Sequence, residues 1–342
     1  MNQTGGIIST HTSEPDSEDE VLDGVSEVEL RSHTVSADQH GERIDRALAQ
    51  AAGEFSRSYL QQLIEGGAVT LNGHAVGKPA QRVKAGDVVV VELRPTQQSQ
   101  AFKAQPMDLE VVYEDAHVLV INKPAGLVVH PAPGNWSGTL LNGLLARDPQ
   151  FASVPRAGIV HRLDKDTSGL MVVGKSLQAC TALTRAIAAR EVHRRYRALV
   201  WGHPPEAVRI DAPVGRDPVS RVKMAVVHSG KPAMTDVRTL ATVDWISETG
   251  GADRTISAVE CTLHTGRTHQ IRVHMASRRW PLVADALYGG APALGLQRQA
   301  LHAVRLELAH PLNGEPLTFE ASLPPDMAQA WAQVVHNGPA GV

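Results

Sequence analysis

The sequence predicts an α+β protein in which two domains follow an acidic amino-terminal segment. Its 342 residues are enough for about two domains of ordinary size. Hydrophobic residues make up 42% of the chain and charged residues 20%, which is typical of globular proteins. Short apolar runs bounded by turns recur between helical patterns, without the regular strand–helix alternation of a doubly wound sheet.

The first element is an acidic segment, residues 1–35, which we expect to be disordered. Residues 1–30 hold eight acidic side chains and no Lys or Arg. Removing those eight from the chain's 36 acidic residues leaves 28, against 33 Lys and Arg. The net charge of −3 therefore conceals a basic body, which favours a polyanionic partner.

The second element, residues 36–94, is predicted to be a small α/β domain. Apolar spacing predicts a helix over residues 43–52, and Ser56 is a suitable N-cap for a second helix, Arg57–Glu65. Asn72-Gly73 is a strong hairpin signal. Arg43 and Arg57 are candidate phosphate contacts on the helices. This region resembles an S4 domain, a small RNA-binding module.

The third and fourth elements are a linker over residues 95–106, which is rich in Pro, Gln and Ser, and a larger domain over residues 107–332. We expect residues 333–342 to be flexible. Runs that predict strands in the larger domain include Val118–Ile121, Ile159–Val160 and Leu170–Val173. Ser176 is predicted to cap the helix that follows the last of these runs.

A charged cluster, His161-Arg162-Leu163-Asp164, lies between two of these apolar runs. Charge near a protein interior is costly unless it is paired, so the cluster is a candidate site. Asp164 is the candidate nucleophile, general base or electrostatic stabiliser. A structural ion pair is an equally good interpretation of the residues alone. Asp166 is assigned to turn chemistry with the Thr167-Ser168-Gly169 segment.

A second cluster spans residues 264–275. Thr268 is predicted to cap a helix from His269 to Ser277, and Arg267 and Arg272 can bind an anion or hold a carboxylate. A third cluster places Tyr196 as the one aromatic residue within a basic run. Its ring can stack on a nucleobase, or simply pack over neighbouring strand residues.

Neither a metal nor an organic cofactor is expected. His264, His269 and His274 suggest metal-dependent hydrolysis, but their spacing matches no familiar metal motif. Residues 169–176 fit the letters of a phosphate-binding loop, yet their apolar middle is typical of a buried strand. The two cysteines, Cys180 and Cys261, are far apart in the sequence, and neither a signal peptide nor a long apolar run is apparent. These features predict a cytoplasmic protein without a membrane segment. A monomer is the default expectation.

Taken together, the clusters resemble the RluA-type pseudouridine synthases over nearly all of residues 36–330. The resemblance implies that Asp164 is the catalytic aspartate, Tyr196 lies against the target base and Arg272 pairs with the aspartate. It places Ile271 in the pocket and Arg162 and His161 near the RNA. The matching blocks are Asn122–Gly126, His161–Asp164, Arg195–Ala198, Lys223–Val226, Gly230–Ala233, Gly266–His274 and Leu301–Ala303.

The resemblance implies that the protein isomerises uridine to pseudouridine in RNA, in a stem-loop of large-subunit ribosomal RNA, without a cofactor. The uridine must leave the RNA stack to react. The family often shows His-Pro-Leu-Val-Gly-Asp where this chain has Trp280–Asp285. Two alternatives stay open at this point: a non-catalytic RNA-binding or ribosome-assembly factor, and a metal-dependent hydrolase.

Overall fold

The computed structural model describes residues 29–53, 55–94, 101–132, 134–220, 222–245 and 254–337. Contacts divide the chain into two units, residues 1–96 and residues 97–342. Most of the predicted acidic segment, residues 1–28, lies outside the described residues. Its last part is not disordered, because Glu29–Thr34 forms strand β1. This correction reflects pairing with a strand about sixty residues away, which local composition does not reveal.

The first unit contains two short helices and a four-stranded antiparallel sheet of order β1-β4-β2-β3. Helix α2 matches its predicted range, and the Ser56 hydroxyl accepts from the Tyr59 N–H at its start. Asn72 and Gly73 have φ of +51° and +80°, as the type I′ turn of a two-residue hairpin requires. The elements are α1 (Ile44–Ala51), α2 (Arg57–Glu65), β2 (Val69–Leu71), β3 (His74–Ala75) and β4 (Val88–Leu93).

The second unit is built on a nine-stranded sheet of order β5-β6-β7-β14-β8-β13-β12-β9, with β15 added beside β14. Only the β7–β14 pair is parallel among these strands, so the sheet is largely antiparallel, as predicted. Strands β10 and β11 form a separate hairpin. The strands are β5 (Val111–Glu114), β6 (Val118–Lys123), β7 (Ser168–Gly174), β8 (His193–Trp201), β9 (Ala207–Asp211), β10 (Val214–Arg216), β11 (Met224–Val226), β12 (Met234–Trp245), β13 (Arg254–Leu263), β14 (Leu301–Ala309) and β15 (Pro316–Glu320).

Four helices pack around this sheet: α3 (Leu140–Arg147), α4 (Leu177–Ala189), α5 (Gln270–Ser277) and α6 (Pro325–Asn337). The Ser176 hydroxyl caps α4 by accepting from the Ala179 N–H, as predicted. Helix α6 corrects the prediction of a flexible segment from residue 333, because Val334 is buried against the core. Residues 338–342 lie outside the described part of the chain.

Two further predictions need correction. Residues 101–106 are not a free linker, because the Asn142 amide donates to the carbonyls of Ala101 and Lys103 and ties the segment to α3. Residues 95–100 lie outside the described part. The predicted strand Ile159–Val160 is reduced to one bridge between Ile159 and Val173, because the preceding residues turn sharply through left-handed conformations.

Residues 168–174 form strand β7, which is buried along its whole length. Residues 170–173 are the middle of the segment whose letters fit a phosphate-binding loop. They lie in an extended strand, so their N–H groups cannot curl around a phosphate. Both cysteines are free and buried. No helix in the described ranges is long and apolar enough to span a membrane.

Candidate active site

Residues from all three predicted clusters line one pocket of about 550 Å³ in the second unit. Asp164 lies in the turn that leads into β7, Tyr196 lies on β8, and Arg272 lies on α5. These elements are far apart in the chain, and the sheet brings two of them together by placing β7 and β8 on either side of β14. The fold thus places a carboxylate, a phenol and a guanidinium around a single cavity.

The turn that carries Asp164 is fixed by a buried lysine. Lys123, only 1% exposed, donates its three ammonium protons to the carbonyls of Pro124, Leu127 and Lys165 at 2.7, 2.9 and 3.0 Å. Burial lowers the pKa of Lys123 to about 7, while the nearby acidic side chains oppose this shift. The carbonyl directly after Asp164 is therefore tied to the end of β6.

An arginine fixes the next carbonyl of the same turn. Arg298 donates from Nη1 to the Asp166 carbonyl at 2.9 Å and holds Asp326 with Nε and Nη2. The chain does turn at Lys165 and Asp166, and the Thr167 N–H closes the turn by donating to the Asp164 carbonyl at 3.1 Å, but Ser168 and Gly169, which were predicted to belong to the turn, lie in β7. Two cations thus restrain the backbone that presents the Asp164 carboxylate.

Arg272 links two carboxylates in the pocket wall. It donates from Nη1 to Oδ2 of Asp164 at 3.1 Å, and from Nε and Nη2 to both oxygens of Asp285 at 2.7 and 2.8 Å. The side chains of Asp164, Arg272 and Asp285 are 14%, 7% and 1% exposed. Burial alone would lower the pKa of Arg272, but the two carboxylates raise it above its usual range.

This pairing gives the two oxygens of Asp164 different environments. Oδ2 accepts from Arg272, whereas Oδ1 accepts no hydrogen bond from any residue in the described ranges. Nε2 of His269 lies 3.9 Å from Oδ1, which is beyond hydrogen-bonding distance. Asp164 is thus a held carboxylate with one oxygen available to a substrate.

Helix α5 begins one residue later than predicted. Thr268 does not cap it; His269 precedes the helix with φ of +56° and provides no side-chain cap. The left-handed conformation instead directs the His269 ring to Tyr288, where Nδ1 lies 2.7 Å from the hydroxyl. The extra left-handed residue between Thr268 and the first helical turn explains why the predicted cap does not form.

The remaining predicted residues of this unit line the same pocket. Tyr196 is 4% exposed and Ile271 is 3% exposed, and burial raises the pKa of the tyrosine. Arg162 and Arg267 lie exposed at the pocket, and Arg267 donates to the Pro232 carbonyl. His161 accepts from the Val172 N–H through Nε2 at 3.0 Å, and burial lowers its pKa to about 3.

The predicted residues of the first unit share a buried acid. Arg43 and Arg57 both donate to Asp45, whose side chain is fully buried, and Gln61 adds a third donor. Burial alone would raise the pKa of Asp45, but these hydrogen bonds lower it below its usual range. Both arginines stay about half exposed, so each keeps part of its guanidinium accessible to solvent.

The three histidines of the metal hypothesis have separate partners. His264 contacts Asp236 at 2.8 Å, His269 contacts Tyr288, and His274 contacts Thr235 and a carbonyl. Within the described ranges, no group of three or more His, Cys, Asp or Glu side chains is placed to hold a metal ion. The arrangement therefore offers no support for the metal-dependent hydrolase.

Sequence reasoning did not identify Lys123, Arg298, Asp285 or Tyr288 as site residues. The sequence does contain a signal for Asp285, because it is the one acidic residue in an otherwise apolar stretch. Such a residue needs a partner if it is buried. Ala284, where the related family often has Gly, adopts φ of +59°. This left-handed residue turns the chain immediately before Asp285.

Comparison with known proteins agrees with this architecture. A family model described as RNA pseudouridylate synthase matches residues 117–277, and an S4 domain model matches residues 42–89. A ribosomal large subunit pseudouridine synthase D of Neisseria meningitidis serogroup B is 47% identical over 91% of this chain and 84% of its own length. A protein of that description from Xanthomonas campestris is 47% identical over 87% of this chain and 90% of its length.

Among solved structures, human RNA pseudouridylate synthase domain containing 1 matches with a TM-score of 0.50 and 28% identity. The match covers 66% of this chain and 90% of the human one. The match to the Neisseria protein covers 91% of the chain, so it extends through both units. The chain therefore belongs to the RluA-type RNA pseudouridylate synthases, and it is an RNA pseudouridine synthase with an amino-terminal S4 domain.

Proposed function

We propose that this enzyme converts specific uridines of large-subunit ribosomal RNA to pseudouridine in the cytoplasm, with Asp164 as the catalytic residue. One observation carries the assignment of Asp164: Arg272 holds Oδ2 while Oδ1 stays free inside the pocket. The proposed substrate is supported by the relatives in Neisseria and Xanthomonas, whose names specify the large ribosomal subunit.

The reaction needs the uridine to leave the RNA stack, which costs a few kcal/mol. Pocket contacts offset that cost. We assign Tyr196 and Ile271 to the wall against the flipped base, because both side chains are buried and line the cavity. Arg162, at the pocket and exposed, is assigned to the RNA from which the base has departed.

Asp164 acts through its free oxygen in either form of the chemistry. Oδ1 can bond to C1′ while the C1′–N1 bond breaks and uracil leaves as its anion, or it can add to C6 of the base while the electrons of the C5=C6 bond move toward O4, before the C1′–N1 bond breaks. Alternatively, Oδ1 can remove the C2′ proton while the C1′–N1 bond breaks, which leaves a glycal and the uracil anion. In each route C5 of the rotated base then bonds to C1′ and the C5 proton is lost. Each route needs an ionised carboxylate with an available oxygen. Arg272 supplies a preorganised positive charge for that purpose, and Asp285 keeps the guanidinium in place.

RNA affinity is assigned to the cationic side chains around the pocket and to the S4 unit. Arg162 and Arg267 are exposed at the pocket, which the uncharged His161 ring also lines. Arg43 and Arg57 retain exposed guanidinium surface in the S4 unit. Because phosphate contacts dominate protein–RNA affinity, we expect binding to weaken steeply as salt concentration rises.

The Asp164→Asn variant tests the catalytic assignment. It should bind a ribosomal RNA fragment about as tightly as wild type, yet form no pseudouridine. Asp166→Asn is the matched control, because Asp166 lies two residues away in the same turn and its structural contact to Arg298 is made through the backbone carbonyl. Normal pseudouridine formation by Asp164→Asn would exclude Asp164 as the catalytic residue.

Pseudouridine mapping of total RNA from cells with and without the protein tests the substrate. We expect the lost modifications to lie in large-subunit ribosomal RNA. Losses confined to transfer RNA would contradict the proposed substrate while leaving the catalytic assignment intact.

A further inference from the structure

The Tyr288 hydroxyl lies between two nitrogen atoms whose roles can be assigned. It is 2.9 Å from the Met224 backbone nitrogen and 2.7 Å from Nδ1 of His269. A backbone N–H can only donate, so the Tyr288 oxygen accepts from Met224. The hydroxyl keeps one proton, which it can donate to Nδ1 at 2.7 Å. In that arrangement Nδ1 of His269 is the acceptor, and the neutral ring carries its proton on Nε2.

The other ring nitrogen, Nε2, lies near the Asp164 carboxylate. Nε2 of His269 is 3.9 Å from Oδ1 of Asp164, the oxygen that Arg272 leaves free. At this distance the N–H is an electrostatic contact and does not occupy Oδ1. The ring is kept in place by the left-handed His269 backbone and by its edge-on packing against Tyr288, at 5.7 Å between ring centroids.

We propose that His269 is a positioning residue for Asp164, whose neutral form, protonated on Nε2 and fixed by Tyr288, keeps a ring N–H directed at the reactive oxygen. The proposal rests on the function proposed above. It assigns Oδ1, rather than Oδ2, as the oxygen that reacts. It also gives the Tyr288 hydroxyl a defined task, because this group sets which ring nitrogen carries the proton.

The charges around His269 decide its protonation. Burial lowers the pKa of His269; Asp164 and Asp285 act to raise it, whereas Arg272 and Arg162 act to lower it. Protonation would place an imidazolium beside Oδ1 and make that oxygen a weaker base and nucleophile. It would also force the Tyr288 hydroxyl proton away from Nδ1, its acceptor in this structure.

The proton position can be measured without turnover. Two-bond proton–nitrogen NMR correlations of the full-length protein at neutral pH distinguish the two neutral forms and the imidazolium, and His269→Gln assigns the signal by its loss. We expect His269 to be neutral and protonated on Nε2. A ring protonated on Nδ1, or on both nitrogens, would overturn the proposal even if the enzyme is fully active.

Single-turnover rates at saturating RNA provide the functional test. We expect His269→Leu to lower the rate about tenfold with unchanged RNA affinity, the effect of losing one interaction of ordinary strength. His269→Gln, which keeps a non-titrating N–H donor, should recover most of that loss. If His269→Leu reacts at the wild-type rate while Asp164→Asn is inactive, this proposal fails and the proposed function stands.

The pH profile separates positioning from general structural support. In Tyr288→Phe the neutral ring loses the hydroxyl that donates to Nδ1, so protonation becomes easier. The acidic limb of the rate profile should then move to higher pH by up to about one unit. Tyr113→Phe is the matched control, because it removes a tyrosine hydroxyl bonded to Asp115 outside the pocket. An unchanged Tyr288→Phe profile contradicts the proposal.

Discussion

Replacing Asp285 by Asn tests whether the buried ion pair holds the Asp164 carboxylate in place. Asp285 is 1% exposed and accepts both Nε and Nη2 of Arg272. Asparagine keeps one acceptor, turns an N–H₂ toward the guanidinium and removes the compensating charge. Breaking a buried pair costs about 3 to 5 kcal/mol. For a unit of this size that corresponds to a fall in Tm of about 10 °C.

The same change should lower turnover. Without the Asp285 charge, the Arg272 guanidinium is free to rotate toward Asp164 and to bind both of its oxygens. Oδ1 would then be occupied, and misplacement on this scale costs about a hundredfold in rate. RNA affinity should be unchanged, because the phosphate contacts lie elsewhere. Differential scanning calorimetry and single-turnover assays with a ribosomal RNA fragment measure the two effects.

Asp236→Asn is the control for this experiment. Asp236 accepts from Nε and Nη2 of Arg209 at 2.6 and 2.8 Å, a geometry close to that of the buried pair, and it also contacts the His264 ring at 2.8 Å. The two side chains are 60% and 35% exposed, so their pairing should contribute less than about 1 kcal/mol. Equal losses of stability and turnover in Asp285→Asn and Asp236→Asn would refute the reasoning from burial.

Three further changes have defined outcomes. Lys123→Met should lower turnover without weakening RNA binding, and it should abolish a rise in the free energy of unfolding between pH 7 and about 10. The rise is expected because the pKa of Lys123 is lowered to about 7 in the folded protein, so between pH 7 and about 10 the unfolded chain binds a proton that the folded protein does not. Denaturation at several pH values measures it. Asp45→Asn should destabilise the S4 unit by about 2 kcal/mol at pH 7, and the wild-type advantage should fade as pH falls below about 4, since the folded pKa of Asp45 is lowered; hydrogen exchange of residues 44–65 reports it. Ala284→Gly should raise Tm slightly, by relieving about 1 kcal/mol of left-handed strain; a lower Tm would contradict this account.

Local chemistry explains which parts of the fold could be predicted from the sequence. Helix α2 and the Asn72-Gly73 hairpin matched because their signals act within a few residues: a serine that accepts from the first turn, and a dipeptide suited to positive φ. Strand β1 was missed because its partner, β4, lies about sixty residues later. Composition near residue 30 contains no information about that pairing.

The candidate site likewise contains residues that the local sequence predicted and residues that it did not. The pattern around Asp164 indicated buried charge, and the family resemblance gave it Arg272 as a partner. Asp285 and Tyr288 were missed because each acts on α5 from the segment that follows it, and spacing along the chain does not reveal which side chains meet. At Thr268 a feature was predicted that the structure lacks. Thr268 has the right chemistry for an N-cap, but one left-handed residue, His269, separates it from the helix.

The choice between Asp164 and Asp166 depends on side-chain contacts that the sequence does not reveal. Both are acids in one turn, and each has cationic neighbours in sequence or in space. Asp166 contributes its backbone carbonyl to Arg298, whereas Asp164 directs its carboxylate to Arg272. A carboxylate that reacts through one oxygen needs that oxygen free, and a guanidinium is less able to bind both oxygens once some of its five N–H donors are occupied. Asp285 occupies two of those donors, so the reactivity proposed for Asp164 depends on an acid 121 residues further along the chain.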